Sequence, residues 1–306
     1  MTTSGGWLRH AGGAARVAAH RGDLWLSGAL AALAYLGWLP LVVTVAVAPR
    51  TSDLTFLGAS LFTSELFPLN VLLIAVLAAL GVLIGCLVAA FAEASLLRAA
   101  GLGTPNRSLT REFEAVFGVM LVAVLPAVAV AAALVSGAAA VAPAEFGAPD
   151  LGVPLALRMA LRLAPLLAVL AILAWLAQSF GAVAIRKAVG RGALPIGEAV
   201  KASLRDLAHH PVRRLGLALT AFIADLLALA LAVALLRVPW GPIDAELGRG
   251  RLISPTALLL LVGFVAIWLT VMLAFGALHA WISTWWSLEM GASDAVARPG
   301  VQEAQV

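Results

Sequence analysis

The stretch LAHHPVRRLGLALTAFIADLLALAL, residues 207–231, is an apolar run interrupted by one carboxylate, Asp225. At the centre of a membrane span an acid costs about 2.5–3.5 kcal/mol, so it must be neutralised, paired or reached by water. Two chemistries fit. One is a proton or cation station. The other is a hydrogen-bonded acid that ties helices together, worth about 1 kcal/mol. Tyr35 falls opposite Asp225 when AAHRGDLW (18–25) is laid without gaps over AHHPVRRL (208–215), so Tyr35 or a backbone carbonyl is the expected partner. Arg162 and His279 are further candidates, one outward and one inward of the acid. The structural role is the expectation, because no second intramembrane acid shares the depth of Asp225 and a proton relay needs a chain of groups.

Three more polar residues interrupt apolar blocks: Glu93, Gln178 and His279. By block position each lies about 10–15 Å past its span centre, toward the cytoplasm, at 1.5 Å per residue. Headgroups or water are within reach there, so each reads as an interfacial or helix-bridging group. His209 and His210 are adjacent and point about 100° apart on a helix, which makes a poor metal pair. No HExxH motif, cysteine partner, GxSxG elbow, Walker lysine or paired catalytic carboxylates occur, so no catalytic residue, metal or cofactor is expected. Arg213, Arg214, Lys201 and Arg205 are expected to meet lipid headgroups. Arg158 and Arg162, spaced i, i+4, are expected to snorkel outward.

The elements that position these residues are set by composition. Of 306 residues 62% are hydrophobic and 12% charged, about half the charged share of a soluble domain. Six apolar blocks, at 24–48, 69–97, 115–142, 154–185, 214–237 and 256–288, are long enough to cross about 30 Å of hydrocarbon. The expected fold is all-α, one polytopic bundle of six transmembrane helices across residues 1–306, with 289–306 as a flexible tail. Fourteen of the 20 Lys and Arg fall in the N-terminal tail, the second and fourth connections and the C-terminal tail. The positive-inside rule then puts both termini in the cytoplasm. The basic surplus is matched to anionic lipid rather than nucleic acid. The first block reads as a retained span rather than a cleaved signal. Cys86, alone within the second block, reads as apolar filler.

The blocks are arranged as three hairpins. The even blocks begin at Pro68, Pro154 and Pro255, reach Glu93, Gln178 and His279 after similar distances, and are followed by Gly101, Gly190 and Gly291. Between the last two hairpins all three landmarks repeat at an offset of 101. The inward connections GTPNRSLTREFEAVFG and ALPIGEAVKASLRDLAHHPVRR read as amphipathic lead-in helices. The second has Ile196, Val200, Leu204 and Leu207 on one face, and either lies among headgroups or packs on the bundle. Trp25, Trp281, Trp285 and Trp286 fit an inner aromatic belt and Trp240 an outer one, with Trp38, Trp175 and Trp268 as packing residues.

The entry SLRDLAHHPVRRLGLAL, with ARVAAHRGDLWLSGAL as a degenerate copy, resembles a group of six-helix bacterial membrane proteins that includes the membrane domains associated with glycerophosphodiester phosphodiesterases. The resemblance implies an integral membrane module whose catalysis resides in a separate domain. Together with the missing catalytic motifs it leads to a non-enzymatic module, a partner subunit or lipid-organising protein, in a bacterial inner membrane. Its partners would be membrane lipids and a membrane or cytoplasmic protein. The alternative is a small transporter or channel using Asp225. The third reading is a membrane-embedded lipid enzyme drawing on Glu93 and His279.

Overall fold

In hydrocarbon the backbone has no partner but itself, so long Ala-, Leu- and Val-rich blocks fold as helices. The structure, a computed structural model, describes residues 5–35, 37–45, 64–66, 69–101, 107–146, 155–190, 192–248 and 255–297. Among these, ten helices and no strand occur: α1 (Gly5–His20), α2 (Gly22–Tyr35), α3 (Trp38–Val45), α4 (Leu69–Ala99), α5 (Leu109–Phe146), α6 (Leu155–Arg162), α7 (Ala164–Val189), α8 (Ile196–His209), α9 (Pro211–Gly248) and α10 (Pro255–Ala297). Five of them, α4, α5, α7, α9 and α10, are long and apolar enough to cross a membrane, and α2 with α3 makes a sixth span if the bent pair is read as one. The chain is an all-α polytopic bundle.

The helix bounds depart from the apolar blocks where proline and glycine act. Pro40 lacks an N–H and crowds the carbonyl four residues earlier. The first span breaks there, with α2 and α3 at 53°. The Gly37 N–H reaches back to the Ala32 carbonyl (2.7 Å). Trp268 Nε1 donates to the Gly37 carbonyl (3.4 Å). The fourth block also breaks, at Leu163, and its spanning helix begins only at Ala164 with Pro165 in its first turn. Pro68 and Pro154 lie outside the described residues; Pro255 does open α10. At the other ends, Gly101 follows α4 in the left-handed region (φ 74°) and Gly190 caps α7, but Gly291 sits inside α10. That helix continues to Ala297, so the first nine residues of the expected tail are helical.

The spans form a closed ring. α2 packs on α4, α4 on α5, α5 on α7, α7 on α9, α9 on α10, and α10 back on α2. The last contact is the closest, because two glycines meet. A Cβ on Gly276 would lie 2.2 Å from the Trp25 carbonyl oxygen, and one on Gly28 would lie 2.2 Å from that of Gly276. Backbones approach this way only where side chains are absent.

Two short helices brace one end of the ring. α8 buries Ala199 and Ser203 against α7, and Ser203 Oγ donates to the Phe180 carbonyl (3.1 Å). Leu204 stays exposed, so α8 is packed on the bundle along one edge and open along another. α1 lies under α10: Trp281 Nε1 donates to the Ala11 carbonyl (3.0 Å), and Trp7 rests on Trp285 with centroids 5.0 Å apart. Trp285 and Trp286 are buried by this cover, so they form the floor of the bundle rather than a lipid-facing belt. Trp240 packs on Phe264 and Trp268 joins the same cluster, whereas Trp38, expected to pack, is exposed. Both braces end alike. The His20 ring bonds the Arg16 carbonyl (2.8 Å) and the His209 ring bonds the Arg205 carbonyl (2.7 Å), at a shared offset of 189. This register is one residue away from the overlay that set Tyr35 opposite Asp225.

Candidate functional site

Residues one turn apart share a helix face. On α10 that rule lines up His279, Ser283 and Ser287, which look across at α4 and α7. α4 supplies Glu93, two turns before its end, and α7 supplies Arg186 from its last turn. The five groups meet. His279 Nε2–H donates to Glu93 Oε2 (2.9 Å), and Ser283 Oγ donates to Glu93 Oε1 (2.8 Å). Arg186 Nη2 donates to Glu93 Oε1 (3.2 Å), to Ser283 Oγ (2.7 Å) and to the Ser283 carbonyl (2.8 Å). Its Nε donates to Ser287 Oγ (3.1 Å) and its Nη1 to the Ala182 carbonyl (3.0 Å). The Glu93 and Arg186 side chains are 6% and 8% exposed, so the pair is held away from solvent by three helices.

Asp225 joins this group. Its carboxylate lies close enough to the Gln178 amide and to His279 to interact electrostatically with both. Gln178 is eight residues, or about 12 Å, from Arg186 along α7. The polar residues therefore form a file. It begins with Ser287 and Arg186 near the braced end, passes through Glu93, Ser283 and His279, and reaches Gln178 and Asp225 near mid-membrane. Its formal charges are two carboxylates and one guanidinium, plus whatever proton the imidazole holds. An imidazole near two carboxylates, bonded to one of them, has the composition of a proton relay.

Several expectations change here. Gln178 is not interfacial. With the span at Ala164–Val189 it lies at the span's middle, level with Asp225. Glu93 and His279, read as interfacial or helix-bridging groups, bridge two helices as partners in one cluster. The polar groups near Asp225 among the described residues are Gln178 and His279. Tyr35 ends α2, and its side chain lies outside the described residues. Arg162 turns elsewhere, pairing with Glu145 (2.6 Å), which also holds Arg158 (3.3 Å). Of the expected headgroup contacts, Lys201 pairs with Glu198 (3.0 Å) and is mostly exposed, and Arg205 is exposed. Arg213 binds Glu289, which also takes His10 from α1 (2.6 Å). Arg214 is 1% exposed and pairs with Asp206 (2.6 Å), joining α9 to α8 instead of reaching lipid.

Arg186, Ser283 and Ser287 are the residues of the file that sequence reasoning missed. Arg186 directly follows the expected end of the fourth block and was counted with the basic connection. Its separation from Ser287 is 101, the offset of the hairpin landmarks, which was the available signal. Among the described residues no group of three or more His, Cys, Asp or Glu side chains is placed to hold a metal ion. No family model matches the chain, and no curated protein or solved structure matches it either.

Proposed function

We propose that the protein is a small proton-coupled membrane transporter, with Asp225, His279 and Glu93 as its proton station. The observation that carries this reading is His279, bonded to one intramembrane acid and within electrostatic range of another. The structural role first expected for Asp225 rested on the lack of a second acid at its depth and of a chain of groups; His279, bonded to Glu93, supports such a chain. Hydrocarbon favours a neutral file. Glu93 and Arg186 neutralise each other, so one proton shared by Asp225 and His279 completes the balance. Moving that proton changes the charge between four spans, which is the kind of switch a transport cycle requires. The positive-inside asymmetry places the braced end and both termini in the cytoplasm of a bacterial inner membrane. The station then lies between mid-membrane and the cytoplasmic face.

A non-enzymatic module is the second reading, favoured by the threefold bonding of Glu93 to Arg186, Ser283 and His279, as in a structural lock. The resemblance to phosphodiesterase-associated membrane domains implies the same, with a protein partner and lipids as its contacts. The lipid-enzyme reading loses weight, because a base saturated by Arg186 and Ser283 has little left for substrate.

Infrared difference spectra of the full chain in lipid nanodiscs, taken across a pH series, separate the first two readings. The expected result is a protonated-carboxyl band that changes with pH, is lost in Asp225→Asn and moves in His279→Gln. A pH-invariant spectrum between pH 5 and 9, with Asp225→Asn merely lowering stability, would establish the lock and end the transport reading.

A further inference from the structure

The two halves of α4 live in different surroundings. From Cys86 to Leu97 it is largely buried in the ring, and Glu93 is part of that stretch. From Leu72 to Ile84 its described side chains are all exposed. Residues 79–84 are exposed in succession, and since a turn takes 3.6 residues, every side of the helix is uncovered there. A Cβ on Gly81 would meet nothing within 4 Å. The cause lies in the neighbouring span. α2 packs along α4 near the braced end, but beyond the Pro40 break α3 packs on α9, around Leu41, Leu236, Trp240 and Phe264. The other neighbour, α5, closes on the α6–α7 corner, where a Cβ on Gly137 would lie 3.2 Å from both Leu163 and Leu166. The far half of α4 therefore stands clear of both neighbours.

The space on either side of this helix is bounded by Leu, Ile, Val and Ala. Its bounding stretch, LLIAVLAALGVLI at 72–84, has no polar side chain. An entrant from the membrane meets apolar walls first and the polar file afterwards. At the foot of that route, His279 bonds Glu93 on α4 and still keeps 29% of its side chain exposed, and Asp225 is half-buried. Neither side chain is fully enclosed by its neighbours. The charge at that point is fixed by pairing. Arg186 is bound to Glu93, Ser283 and Ser287, so its guanidinium is not offered to an anion. The group offered there is the Asp225 carboxylate.

Resting on the proton-station reading, the geometry points to a binding site for a lipophilic cation, entered sideways from the membrane beside the far half of α4, with Asp225 as its counterion. The exchange balances in charge. In the empty state one proton resides on the Asp225–His279 pair. A bound monovalent cation takes its place against the carboxylate, and the proton leaves to water. One cation enters for one proton released, and no covalent bond other than that to the proton changes.

Tetraphenylphosphonium, which has an apolar body, one positive charge and no hydrogen-bond donor, tests the site on the full chain in nanodiscs. The expected result is saturable binding with release of about one proton per cation in weak buffer, as neutrality of the file requires. Asp225→Asn abolishes both. Leu80→Trp, which narrows the route, weakens binding by about tenfold or more and leaves the Asp225 infrared band in place. Tetraphenylborate, of the same shape and opposite charge, does not compete. The inference is overturned if tetraphenylphosphonium only partitions without saturation, as it would where acyl chains occupy the space. It is equally overturned if tetraphenylborate competes, or if Leu80→Trp changes the oligomeric state instead of binding, as it would where a second copy covers α4. Should binding fail while the Asp225 band still titrates, the ligand class alone falls. Should the band be absent from the unaltered protein, the proton-station reading falls with it.

Discussion

Arg186 and Glu93 show how an ion pair is tolerated among apolar helices. Neither charge is left bare, since two serine hydroxyls and two backbone carbonyls complete the guanidinium's contacts. Breaking such a pair strands a buried charge, at about 3–5 kcal/mol, while removing both charges costs much less. Arg186→Met is therefore expected to destabilise the bundle by about 3 kcal/mol in denaturant unfolding from mixed micelles, and Glu93→Gln with Arg186→Met to recover most of that loss. Equal instability of single and double variants would mean that the pair acts mainly through packing. At this scale the sequence was partly legible. Asp225, Glu93, Gln178 and His279 stand out because charge or amide in an apolar run is costly, and all four belong to the file. Arg186 was hidden by its place, since an arginine at a span's end is what the positive-inside rule already explains. Ser283 was hidden by its kind, since an intrahelical serine ordinarily bonds its own backbone.

Helices are where the sequence was read most and least surely. Apolar blocks announced the spans, but their ends depend on proline geometry that hydropathy does not register. The ten-residue shift in the start of the fourth span, from 154 to Ala164, was enough to misplace Gln178 by several ångströms in depth. The Pro40 break divided a block that was continuous by composition. Contacts between helices depend on which small residues face each other, and that was not visible in so Ala- and Gly-rich a chain. The crossing at Gly28 and Gly276 makes a sharp comparison with Gly81. Gly276→Leu drives a side chain into the α2 backbone and is expected to cost at least about 2 kcal/mol. Gly81→Leu, facing open space, is expected to stay within about 0.5 kcal/mol. Thermal unfolding in one detergent compares them, and similar losses for both would contradict the free-standing far half of α4.

At the scale of the molecule the bundle is polarised. One end is braced by α1 and α8 and held by ion pairs: Glu289 with Arg213 and His10, Asp206 with Arg214, and Glu93 with Arg186. The other end has α3 bent away, α4 uncovered and an Arg158–Glu145–Arg162 group. An assembly tight at one face and loose at the other is suited to opening from the loose face. Single cysteines test the placement in the membrane, in a chain whose own Cys86 has been replaced by alanine. A cysteine at Gly6 and one at Lys201 are expected to react with an impermeant maleimide only from the cytoplasmic side, and one at the exposed Asp244 only from the other. Labelling of the first two from opposite sides would invert the assignment of the braced end.

The most direct measurement of the account is the ring-nitrogen NMR signal of His279 in nanodiscs, followed across pH with and without Asp225→Asn. Its assignment is made by loss in His279→Gln, against the other four histidines. If Asp225 and His279 share a proton, the His279 transition moves when the aspartate becomes asparagine, and Glu93→Gln moves it further. A His279 signal that keeps its titration unchanged in Asp225→Asn would mean that the two groups do not exchange a proton, and the file would be a set of helix contacts without a transport role.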